Sequence, residues 1–113
     1  MSMSQHEEPA PAGRADDERD LRHAWQARSL AAGWPATATW WVPAVDGCVS
    51  ASYDLDRLMR ACERLAAARA AGTISFDEAL ADLDALWNEI ATVDAPPDFV
   101  RAFAVAWSNR RAI

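Results

Sequence analysis

Apolar residues recur along this chain at helical spacing, and strand-like alternation is nearly absent. The Asp16-Asp17-Glu18 cluster suits a helix N-terminus, where carboxylates meet the positive end of the helix dipole. Leu21, Ala24, Trp25, Arg28 and Ala32 then follow at helical spacing until Gly33 offers a stop. The spacing predicts a first helix over 17–32. Pro43 biases Val42 away from the helical region but is favourable at a first helical position. A short helix from Pro43 to about Ser52 is therefore expected, with Val45, Cys48 and Val49 on one face. Gly47 weakens it by roughly 1 kcal/mol.

Asp54 can cap a third helix, in which Leu55, Leu58, Met59, Cys62, Leu65 and Ala66 form one buried stripe that ends at Gly72. Ser75 and Glu78 form a capping box ahead of a fourth helix, whose stripe is Phe76, Ala79, Leu80, Leu83, Leu86 or Trp87, and Ile90. Pro96-Pro97 interrupts the path, and Pro97 can start a last helix with Val100, Phe103, Ala104 and Trp107 pointing one way. The fold class expected is all-α: a small bundle of four to five helices with short connections and up-down packing. Residues 1–16 hold no large apolar residue besides Met1 and Met3, and Pro9, Pro11 and Gly13 oppose regular structure. A disordered tail is expected there, with residues 17–113 forming one helical domain.

At 113 residues with 51% hydrophobic content the chain has enough apolar material for one modest core, and a second domain is not expected. No apolar run approaches the roughly 20 residues that span a bilayer, and the first twenty residues lack a basic start followed by an apolar segment. A soluble, cytoplasmic protein is expected, with no membrane partner. The formal charge of −6 repels a nucleic-acid backbone, and no basic patch overrides it in the sequence. Arg110 and Arg111 read as cations complementing a helix C-terminus. The third helix carries Arg57, Arg60, Arg64 and Arg69, whereas residues 73–98 hold seven acids and no base, so antiparallel packing of the third and fourth helices would pair opposite charges along a seam.

Catalytic and metal chemistry finds little support. Glu78 and Asp82 share a helical face, but no histidine follows His23 to complete a helical di-metal set, and the acids lack a calcium-loop pattern. The acids are read as a solvated surface, so no metal and no cofactor are assigned. His23 is read as a surface histidine. Cys48 and Cys62 lack metal or redox spacing and are read as buried free thiols, with a disulfide between neighbouring helices as the alternative. The scattered glycines form no phosphate cradle.

The six tryptophans are the remaining candidates for function. Trp25, Trp87 and Trp107 lie at core-stripe positions, whereas Trp34, Trp40 and Trp41 flank Pro35 and Pro43 in a connection. There they either close the end of the bundle or form a recognition surface. Two binding readings follow. In one, Trp34, Trp40 and Trp41 contribute to a non-enzymatic interaction surface for a protein partner or for self-association as a homodimer. In the other, Trp25, Trp41, Met59, Trp87 and Phe103 line a pocket for an apolar or aromatic small-molecule ligand. An enzyme with a cryptic site around His23 and the acids is the third, weaker reading.

The ordered segments 21–28 (LRHAWQAR), 31–35 (AAGWP), 40–46 (WWVPAVD), 61–71 (ACERLAAARAA) and 77–87 (DEALADLDALW) resemble the helical N-terminal region of actinobacterial GGDEF-domain, diguanylate-cyclase-like proteins. The resemblance spans about residues 19–108. It implies an input, dimerisation or docking module related to cyclic-dinucleotide signalling. The sequence contains no GGDEF run, so no catalytic residue carries over.

Overall fold

The computed structural model describes residues 9–112, with side chains from Ala15 onward. Five helices follow in order: α1 (Pro9–Ala31), α2 (Pro43–Ser50), α3 (Leu55–Ala70), α4 (Phe76–Ala91) and α5 (Pro97–Ala112). Among the described residues there is no strand, and no helix is long and apolar enough to cross a membrane. The all-α bundle expected from periodicity is present.

The caps fall where the sequence places them. Asp54 accepts from the amides of Asp56 and Arg57 at the start of α3. At α4 the capping box is complete: Ser75 Oγ accepts from the Glu78 amide at 3.1 Å, while Glu78 Oε1 accepts from the Ser75 amide at 2.8 Å. Gly33 adopts φ 116°, the left-handed geometry that glycine takes without a Cβ penalty. It lets the Trp34 amide reach back to the Ser29 carbonyl and its own amide to that of Leu30, closing α1 with a Schellman motif. That reversal turns Trp34 onto the bundle.

α1 begins at Pro9, ahead of the start expected at the acidic cluster; residues 1–8 of the expected tail lie outside the described residues. The first four N–H groups of a helix have no intrahelical acceptor, so Pro9 and Pro11 forfeit no bond in the first turn. In α5 Phe103 and Trp107 are buried as expected; Phe99 completes the buried stripe, and Val100 and Ala104 are half-buried at its side.

The packing order differs from a simple up-down bundle. α1 lies along α4 and α3 along α5, with α2 wedged against α3; the sequence neighbours α3 and α4 make little contact. Aromatic rings bridge α4 to α5: Phe76 meets Phe103 and Trp107 at centroid separations of 6.2 and 5.6 Å, and Trp87 meets Phe99 edge-on at 4.7 Å. The expected charge seam between α3 and α4 is therefore not formed. Among the described residues, Arg69 is the one α3 arginine that pairs with an α4 acid, Asp82. Arg111 complements a helix terminus, but that of α3: its Nε donates to the Ala70 carbonyl at 2.7 Å and its Nη2 to that of Ile74 at 3.0 Å. Both carbonyls lie at or just past the end of α3, where helical N–H donors have run out.

The capping box yields the first prediction. Ser75→Ala should cost about 1 kcal/mol in urea-induced unfolding with an unchanged denaturant slope, and an unaltered midpoint would show that the cap does not anchor α4.

Candidate functional site

The connection from α1 to α2 carries three of the five tryptophans singled out in the sequence, and the other two lie on α1 and α4. Its last residues run extended, with Val42 at φ −138° and ψ 160°. Successive side chains of extended backbone point to opposite sides. Trp40 is accordingly buried (4% exposed) while Trp41 faces outward (46% exposed). Trp34, turned inward by the Schellman motif, is buried, and its Nε1 donates to the Ala38 carbonyl at 2.9 Å. Trp25 and Trp87 are buried on α1 and α4. Of the five tryptophans, four close the core and only Trp41 presents a surface.

Beneath this lid lies a polar node that the sequence reading missed. Arg69 of α3 and Asp82 of α4, both essentially fully buried, form an ion pair at 3.2 Å. The second carboxylate oxygen accepts from Trp40 Nε1 at 2.8 Å, and Arg69 Nη1 donates to the Trp40 carbonyl. Trp25 Nε1 donates to the Asp82 main-chain carbonyl at 2.9 Å and packs edge-on against Trp40, ring centroids 5.0 Å apart. The Arg69 guanidinium also stacks over Trp34, 4.4 Å from its centroid. One node thus ties the connection, α1, α3 and α4 together.

Its electrostatics are structural. Burial pulls the Arg69 guanidinium below its ordinary value, and the neighbouring Asp82 opposes that shift. Cys48 of α2 and Cys62 of α3, both buried free thiols, adjoin the node. Hydrogen bonding to Cys62, then burial, pushes the Cys48 thiol well above its usual range, which removes it as a nucleophile near neutrality. Asp82 is thus not part of a solvated acidic face. His23 is exposed, and no group of three or more potential metal ligands forms among the described residues.

The five residues proposed to line one ligand pocket are not brought together. Trp25 and Phe103 are fully buried in the packed core, Trp41 points outward, and Met59 lies between α3 and α5. A pocket of about 290 Å³ does open beside Trp34, walled by Thr37, Val42, Arg69 and Ile74, but neither Trp25 nor Trp87 borders it. A second depression, about 460 Å³, runs between α3 and α5.

No family model matches the chain, and no curated protein or solved structure matches it.

Trp40 and Trp41 provide a direct contrast between lid and surface. Trp40→Phe deletes a hydrogen bond to a buried carboxylate and should cost about 2–3 kcal/mol, whereas Trp41→Ala should cost under about 1 kcal/mol. Equal losses in denaturant unfolding would contradict the assignment of these neighbours to opposite sides.

Proposed function

We propose that this protein is a non-enzymatic helical interaction module that self-associates through the exposed side of α5 and its groove with α3. The observation that carries this reading is the apolar excess of α5. Its core stripe needs only Phe99, Phe103 and Trp107, yet Val100, Ala102, Ala104, Val105 and Ala106 surround that stripe. A helix apolar over so much of its circumference is suited to burial on more than one side.

The groove has an apolar floor of Met59, Ala102, Val105 and Ala106, with Glu63 and Arg101 at its rim. Leu55, one turn before Met59 on α3, extends the apolar lane, and Leu55 and Val105 are 62% and 53% exposed. A second copy fits this face because the rim carries both signs of charge. In a twofold contact the same patch meets itself, so Arg101 of one protomer can face Glu63 or Asp98 of the other. The contact surface expected at the Trp34–Pro43 connection is thereby reduced to Trp41. A place in cyclic-dinucleotide signalling rests on the sequence resemblance alone. The alternative reading, a small-molecule sensor, draws its support from the pocket beside Trp34, whose size falls near the lower end of ligand sites.

Native mass spectrometry with sedimentation equilibrium tests both readings. The interaction module predicts a ligand-free dimer at micromolar concentration that Val105→Arg converts to a monomer of unchanged helicity. A wild-type monomer would contradict self-association, and a monomer retaining a discrete small mass would transfer the assignment to the sensor.

A further inference from the structure

The arginines of α3 that do not join the core define a second surface, roughly 130° around the helix from the α5-facing lane at 100° per residue. Arg57, Arg60 and Arg64 recur at i, i+3 and i+7 and therefore share one face. They line a groove of about 620 Å³ between α2 and α3, together with Ser50, Tyr53 and Glu18. That volume falls within the roughly 300–1,000 Å³ of small-molecule sites.

Three features make the groove more than a solvated helix face. Arg60 and Arg64 have no carboxylate partner among the described residues, although the chain as a whole carries a charge of −6. The guanidinium of Arg57 lies 3.5 Å from the Tyr53 hydroxyl, which adds a polar group to the groove wall. The nearby α2 carbonyls of Gly47 and Val49 are engaged by the amides of Ala51 and Ser52, which reduces the repulsion an anion would meet at this helix end. Two carboxylates oppose the positive charge: Glu18 in the groove wall and Asp54, 3.9 Å from Arg57.

We propose that this α2–α3 groove binds a phosphate-bearing anion of the diphosphate class. Guanidinium forks match phosphate oxygens bidentately, and three of them in a row cover about 10 Å of helix, from seven residues at 1.5 Å rise. Such a row accommodates two linked phosphates better than a single orthophosphate. The acidity of the whole chain argues against a nucleic-acid strand, which would extend beyond the groove into repulsive surface. The proposal is independent of self-association, since the groove lies on a different face of α3.

Isothermal titration calorimetry on the full chain, with inorganic pyrophosphate and with adenosine diphosphate as probes, tests this site. Both should bind and weaken as salt is raised. Arg60→Ala and Arg64→Ala should each lower affinity about tenfold, Glu18→Gln should raise it severalfold, and Arg101→Ala should leave it unchanged. Equal affinities for the two probes would locate recognition in the phosphates, and tighter diphosphonucleoside binding would add a contact to the base or sugar. No binding of either probe, binding indifferent to Arg60 and Arg64, or binding of an oligoglutamate peptide in place of both would overturn the proposal.

Discussion

The buried pair Arg69–Asp82 is the interaction on which the rest of this structure depends. Two opposite charges removed from water are tolerated only when their geometry is good and their remaining donors and acceptors are engaged. Here both carboxylate oxygens and both terminal guanidinium nitrogens are engaged, and of the pair only Arg69 Nε is buried without a partner among the described residues. The carboxylate takes one bond from Arg69 and one from Trp40, while Arg69 also donates to the Trp40 carbonyl and stacks on Trp34. Burying the pair thus requires the irregular connection between α1 and α2 to lie across it, and the connection in turn closes the core. The node also joins α3 to α4, helices that otherwise make little mutual contact.

The helices were legible in the sequence where a local device sets them. Asp54, the Ser75–Glu78 box and the prolines at 43 and 97 act within a turn of their own position, so α2 to α5 start as expected. The polar node is non-local, and its trace in the sequence is subtle. Arg69 continues the Leu58, Cys62, Leu65 spacing, and Asp82 sits between Ala79 and Leu86, three and four residues away. Two charged residues of opposite sign, each inside an apolar stripe, form a pattern that predicts mutual burial. The pattern is masked because Asp82 is one of several acids along α4, the others half-buried or exposed. α1 starts ahead of the acidic cluster because neither that cluster nor prolines in a first helical turn force a boundary.

The same packing separates the tryptophans by role. An extended backbone assigns alternate residues to alternate sides, so Trp40 becomes core and Trp41 surface although they are adjacent. With Trp25, Trp34 and Trp87 also committed to packing, the surfaces left for recognition belong mainly to helices. α5 offers an apolar one and α3 a basic one. Both arise from residues the core does not need: the alanines and valines flanking the Phe99, Phe103, Trp107 stripe, and the arginines opposite the α5-facing lane.

A double-mutant cycle on Arg69→Met and Asp82→Leu, followed by urea unfolding, tests the central claim most directly. Each single substitution strands a buried charge and should cost about 3–5 kcal/mol. The double substitution removes both charges together and should cost less than the sum by at least about 2 kcal/mol. Single losses below about 1 kcal/mol that simply add would contradict the account, because the fold would then stand without the pair.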